Sequence, residues 1–284
     1  MIRVISAGPL TTVQDGGRHG WAHIGVPTAG PADPLAHAAA NRLVGNPAGS
    51  AALESTVLGP QLRFNRPVLV AAVGAELRID GVGAGARAEV PPGKLLQVGP
   101  AERVRSYLAV SGGIDVEPVL GSRSTDTLSG LGPAPLSDGD TLEIGTERGR
   151  PDELPEIHYD THLRILPGPH AEWFSAGLGE FTVDPRSDRI GVRLTGAAVA
   201  RKRSGELPVE GMVTGAVQVP PDGNPIILLP DHGVTGGYPV IAVVISADIH
   251  KIGQLPPGAA VTFEEIDRAT AGEEFRRRYG NPSR

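Results

Sequence analysis

The block Thr11-Thr12-Val13-Gln14-Asp15-Gly16-Gly17-Arg18-His19-Gly20 sets an amide, a carboxylate and a guanidinium among glycines. Glycine lets a backbone approach a ligand closely. A second polar block, Asp184 to Arg193, carries Arg186, Arg189 and Arg193. Two more, Gly215 to Pro220 and Asp231 to Pro239, flank the apolar run Ile226-Ile227-Leu228-Leu229. A planar guanidinium can fork a carboxylate through two parallel hydrogen bonds, which lysine cannot do. Arg18 or Arg189 is therefore a candidate for holding a substrate carboxylate. Gln14, Asp15 and Gln218 are candidates for orienting an amide. Thr12, Asp231, Thr235 and Tyr238 complete the candidate set. A ligand with a carboxylate is expected between the Thr11–Arg18 block and the loops at Gly215–Gln218 and Asp231–Tyr238. The same residues also fit plainer roles. Asp15 could simply pair Arg18 in a turn, Arg189 and Arg193 could lie on a solvated strand face, and the glycines could serve only tight turns.

Several familiar chemistries lack their residues. There is no G-x-x-x-x-G-K-[ST] phosphate loop and no G-x-S-x-G nucleophile elbow. The chain has no cysteine, which removes disulfides, thiolate metal sites and a cysteine nucleophile. His19 and His23, like His158 and His162, are four apart but have no third ligand nearby, so no metal site is expected. Gly81-Val82-Gly83-Ala84-Gly85 follows a turn signal and precedes no helix, so it reads as a hairpin rather than a dinucleotide loop. None of the three lysines, Lys94, Lys202 and Lys251, is flanked by methionine, so no biotin is expected on this chain. No catalytic residue identifies itself.

The elements that must position these blocks are short strands. Gly (39) and Pro (27) are frequent among 284 residues, and long helical patterns are few. An all-β chain of two barrel-like domains with a few short helices is expected, residues 1–150 and 151–284. The charged, proline-rich stretch Glu147 to Glu156 is the expected linker, with the break near 146–160. Residues 1–5 read as an edge strand, and Pro9 to Gly30 as too irregular for a regular element. Asp33 and Pro34 open a helix near 33–44 that carries Leu35, Ala39 and Leu43 on one face and stops at Gly45. Strands are expected at 68–73, 77–79, 94–98, 104–110 and 141–144, then at 163–166, 181–183, 190–194, 216–219, 226–229, 240–245 and 260–263. Pro169 to Ser175 suggests a short helix, and Glu264 to Tyr279 a helix interrupted at Gly272. Alternation along the strand after residue 188 puts Arg189, Gly191 and Arg193 opposite Ile190, Val192 and Leu194.

The net charge is −6 without a basic stripe, so nucleic acid is not an expected partner. The N-terminus has no apolar signal core. The longest apolar run, Val240 to Ile245, is too short to span a bilayer, so a cytoplasmic location without membrane contact is expected.

Taken in order, the motifs resemble one family. They are Gly8-Pro9-Leu10-Thr11-Thr12-Val13-Gln14-Asp15-Gly16-Gly17-Arg18, Gly25-Val26-Pro27, Ala40-Asn41-Arg42-Leu43-Val44-Gly45-Asn46 and Leu53-Glu54. Further along come Tyr107 to Ile114, Leu120-Gly121-Ser122-Arg123-Ser124-Thr125, and the blocks 187–194 and 215–254. The set is similar to the family variously called C-type 5-oxoprolinase subunits, KipA-like proteins and allophanate hydrolase subunit 2, over nearly the whole chain. The resemblance implies cyclophilin-like β-barrels and a partner subunit of related fold, the KipI-like or subunit 1 protein. It also implies a further subunit and a share in ATP-dependent opening of the 5-oxoproline lactam to glutamate. ATP is expected at the level of the complex, with no site located in this chain. Because a lactam is a poor electrophile, activation by ATP is chemically sensible, and the missing nucleophile suggests that the chemistry is shared with the partners. Two alternatives stay open. One is carboxyl transfer from a separately carried biotin to urea or a similar amide. The other is a non-catalytic regulator that antagonises a kinase inhibitor.

Overall fold

The computed structural model describes residues 1–146, 149–153, 156–203, 205 and 207–280. Glu147, Arg148, Leu154 and Pro155 of the expected linker lie outside the described residues. The chain divides into two compact units. The first is Met1–Trp21 with Thr28–His158, and the second is Ala22–Pro27 with Tyr159–Arg284.

The first unit contains β1 (Ile2–Ser6), β2 (Leu10–Gln14), α1 (Pro34–Leu43), β3 (Ala52–Leu58), β4 (Gln61–Phe64), β5 (Val68–Val73) and β6 (Leu77–Ile79). It continues with β7 (Val82–Gly85), β8 (Arg87–Val90), β9 (Leu95–Val98), β10 (Pro100–Val110), β11 (Ile114–Asp115) and β12 (Thr141–Ile144). These strands form a seven-stranded sheet, β11-β12-β1-β4-β9-β6-β7, and a five-stranded sheet, β2-β3-β10-β5-β8. Period-two alternation explains how the sheets pack. Leu53, Val70, Leu108 and Val110 of the five-stranded sheet join Ile2, Leu62, Phe64, Leu77 and Leu96 of the other in one buried cluster. Each such side chain stabilises by roughly 1.5–3 kcal/mol when fully enclosed. The alternate residues Ala52, Ala71, Tyr107 and Ala109 face the other way and pack against Ala36, Ala40 and Leu43 of α1. Small residues let the helix lie close on the sheet.

Helix α1 starts as its residues dictate: the Asp33 carboxylate accepts from the Leu35 and Ala36 amides, and Pro34 occupies the first turn. The Asp80-Gly81 turn joins β6 to β7 with both residues at positive φ, the conformation this two-residue hairpin requires. Two expectations are corrected. β1 is not an edge strand, since it pairs with β12 on one side and β4 on the other. The stretch from Pro9 is not wholly irregular, because Leu10–Gln14 pairs in full with β3.

The second unit is a closed seven-stranded barrel, β13-β20-β17-β18-β15-β14-β21. Its strands are β13 (His162–Pro167), β14 (Phe181–Val183), β15 (Gly191–Gly196), β17 (Ala216–Gln218), β18 (Ile226–Leu228), β20 (Val240–Val244) and β21 (Ala260–Glu265). β16 (Glu210–Gly211) and β19 (Thr235–Gly236) pair as a separate ribbon. Leu163, Val192, Leu194, Val217, Ile227, Val244 and Val261 fill the interior. A 3₁₀ turn spans Ala171–Trp173, α2 covers Ile249–Ile252, and α3 runs Arg268–Tyr279. Gly272 does not interrupt α3. The helix is capped by Asp267 and anchored by Glu274, which pairs Arg164 at 2.7 Å. Mostly strand with a few short helices is the architecture throughout. No helix among the described residues is long and apolar enough to cross a membrane.

Candidate functional site

The turn that ends β2 brings Asp15 against the segment 122–124. Asp15 Oδ1 accepts from the Ser122 hydroxyl (2.6 Å), the Ser124 hydroxyl (2.7 Å) and the Gly17 amide (2.9 Å). Its Oδ2 accepts from the Arg123 amide at 2.6 Å. Each serine oxygen also accepts a backbone N–H, Ser124 from Asp15 and Ser122 from Ser124, both at 3.0 Å. Burial by itself would raise the Asp15 pKa. The hydrogen bonds from Ser122, Arg123, Ser124 and Gly17 outweigh it and hold the carboxyl below its ordinary range.

Arg18 is 1% exposed and works on the same loop. Its Nε donates to the Val119 carbonyl (2.9 Å) and its Nη2 to the Ser124 carbonyl (2.8 Å), while Nη1 is enclosed without a hydrogen-bond partner. Gln14 Nε2 donates to Thr12 Oγ1 and to the Thr125 carbonyl, both at 3.0 Å. The Gln14 carbonyl accepts from His37 Nε2 at 2.9 Å. His37 lies on α1, fully enclosed, and burial pushes its imidazole below the usual range toward the neutral form.

Further along the helix and its exit, asparagines tie the strand ends together. Asn41 Nδ2 donates to the Ser50 carbonyl at 2.8 Å. Asn46 Nδ2 donates to Asn41 Oδ1 (3.0 Å) and to the Val110 carbonyl (2.9 Å), and Asn46 Oδ1 accepts the Gly112 amide at 2.9 Å. The glycines here are mandatory. Gly112 has φ +102°, and a Cβ on it would stand 2.2 Å from the Gly145 carbonyl oxygen.

These pieces wall a cleft of about 450 Å³ within the first unit, lined by Asp15, Gly49, Ser50, Gly112, Gly113, Asp115, Arg123, Gly145 and their neighbours. Among the described residues, Arg123 is the one cationic side chain that lines it. Its Nη2 donates to Asp115 Oδ1 at 3.0 Å, and its Nε is enclosed with no hydrogen-bond partner. The cleft has the size of a small-molecule site and holds both signs of charge.

Of the candidates read from the sequence, Thr12, Gln14, Asp15 and Arg18 come together, and Asp15 lines the cleft. Arg18 is turned toward main-chain carbonyls. Arg189 does not sit on a solvated strand face. It precedes the start of β15 at Gly191, is 2% exposed, and forks Asp231 through Nε and Nη2, both at 2.9 Å. Gln218 and Thr235 lie close in the second unit. Gln218 Nε2 donates to the Met212 sulfur at 3.1 Å and lies against Gly236, the strand neighbour of Thr235. Tyr238 is 47% exposed. Arg123 escaped the site reading although it stands in the motif Leu120 to Thr125. Its signal was the alternation Ser122-Arg123-Ser124, which turns two hydroxyls to Asp15 and leaves the arginine for the cleft.

Comparison with known proteins agrees over almost the whole chain. Residues 24–265 match the family described as carboxyltransferase domain, subdomain A and B. The C-type 5-oxoprolinase subunit of Escherichia coli is 39% identical, over 98% of this chain and 96% of that protein. The crystal structure of TTHA0988 superposes with a TM-score of 0.81 at 37% identity, covering 93% of this chain and 55% of that one. The Kluyveromyces lactis urea carboxylase superposes with a TM-score of 0.87 at 30% identity, covering 95% of this chain and 28% of the enzyme.

Proposed function

The chain belongs to the carboxyltransferase-domain family of subdomains A and B, and from that premise we propose that it is a subunit of an ATP-dependent 5-oxoprolinase. The carrying observation is the end-to-end match with the C-type 5-oxoprolinase subunit of Escherichia coli, 98% of one chain on 96% of the other. The urea carboxylase match covers only 28% of that enzyme, so this chain has the extent of a free-standing subunit rather than of a complete carboxylase. In the proposed reaction water adds across the lactam C–N bond of 5-oxoproline to give glutamate, and ATP goes to ADP and phosphate. The site described above offers hydrogen bonds and charge but no nucleophile beside a base, which supports a shared reaction. The partner is a KipI-like subunit, with a further subunit binding ATP, and the complex works in the cytoplasm. TTHA0988 supports such a pairing, since this chain spans about half of it and a further segment shares the polypeptide.

A strain lacking the gene tests this. It is expected to accumulate 5-oxoproline and to lose growth on it as nitrogen source, with rescue by the intact gene. Normal 5-oxoproline consumption together with loss of growth on urea would instead identify the carboxyl-transfer reading, which the urea carboxylase similarity favours.

A further inference from the structure

We propose that the cleft of the first unit binds a small molecule carrying one carboxylate and an amide N–H, with Arg123 pairing the carboxylate and Asp115 accepting the N–H. The proposal deepens the amide-substrate reading above and rests on it for the amide. Three observations carry it.

The first is the half-used fork. Arg123 spends Nη2 on Asp115, whose side chain is 56% exposed, while its Nε–H is enclosed without a partner. An enclosed guanidinium donor left unpaired is costly, and an oxygen ligand arriving at that edge satisfies it. The second is the placement of that arginine. Its amide is held by Asp15 Oδ2 at 2.6 Å, and Ser122 and Ser124 on either side of it are held by Oδ1. Asp15 accepts four hydrogen bonds and is spent on positioning. The third is the balance of charge. Asp15 and Asp115 share the cleft with one arginine, so a polyphosphate would meet two carboxylates and one cation. Repulsion at these distances excludes nucleotide phosphates and leaves room for a single carboxylate beside an N–H donor. Arg18 and Arg189 are both enclosed on internal acceptors, which leaves Arg123 as the arginine that faces this cleft.

All lining residues belong to the first unit, so the purified chain alone should bind. Calorimetric titration with 5-oxoproline, with 2-pyrrolidinone, which keeps the lactam but lacks the carboxylate, and with ATP is the test. The expected result is that 5-oxoproline binds at least 10-fold tighter than 2-pyrrolidinone and that ATP does not compete. Arg123→Ala should erase the difference between the two lactams, and Arg123→Lys should keep only part of it. Circular dichroism and the thermal midpoint establish that both variants are folded. Equal affinity for the two lactams, no binding by the chain, or unchanged discrimination in the folded variants would overturn the proposal. In the assembled complex, turnover of 5-oxoproline with a KM insensitive to Arg123→Lys would overturn the cleft assignment while leaving the oxoprolinase reading intact. A complex without turnover, whose chain still binds 5-oxoproline through Arg123, would do the reverse.

Discussion

At the scale of single residues, Asp15 and His37 organise the polar interior around the cleft, and each titrates in its own window. Asp15→Asn replaces one acceptor oxygen by an amide that meets the Arg123 N–H, so it should cost about 2–3 kcal/mol of stability, the value of charge-assisted hydrogen bonds. Urea denaturation measures that directly. The wild-type contribution of Asp15 is present above the unfolded carboxyl pKa of 3.8 and is lost as pH falls through the lower folded value. His37 acts at milder pH. Burial keeps it neutral in the fold, whereas the unfolded chain takes up a proton near 6.5, so stability should fall as pH drops below 6.5. His232 is shifted the same way by burial. His37→Gln should therefore make the urea midpoint less dependent on pH between 6.5 and 5.5, without flattening it. The chemical potential of Gln14, Asp15 and Arg18 was legible from residue types among glycines. Their roles were not, because sequence shows which groups can fork a carboxylate but not which main-chain carbonyls lie nearer.

Among the elements, legibility followed periodicity. Strands with β-branched, alternating residues, such as Val68–Val73, Thr141–Ile144 and Phe181–Val183, are found where the sequence places them. α1 was legible from its cap and proline. β2 was not, because Thr11, Thr12 and Gln14 are polar yet buried, satisfied by long-range partners such as Ser55 and the Thr125 carbonyl. β1 looked like an edge because its local pattern does not reveal two flanking strands. Arg189 broke the alternation because a buried ion pair with Asp231 turned it inward. Two variants test the element-level account. Asp33→Ala removes the acceptor for two helix amides and should lower stability by about 1–2 kcal/mol. Gly112→Ala drives a Cβ into the Gly145 carbonyl at a positive φ, and should cost more than about 2 kcal/mol while distorting the cleft.

For the whole molecule, the closed barrel of the second unit, the two-sheet first unit and the carboxyltransferase family all agree with the all-β reading of a glycine- and proline-rich chain. Function was legible only through the ordered set of motifs, since neither composition nor any lone motif specifies a lactam. The account expects a stable assembly with a KipI-like subunit, burying roughly 2,000 Å² or more if obligate. Size-exclusion chromatography with light scattering on the coexpressed pair should give one hetero-oligomeric peak at micromolar concentration. Separate elution would count against the shared-reaction account. The most direct measurement is ATP-dependent release of glutamate from 5-oxoproline by the reconstituted subunits, with this chain present or omitted. The account predicts turnover with the complete set, none with this chain alone, and none when it is left out. Glutamate release by the other subunits at an undiminished rate without this chain would contradict it.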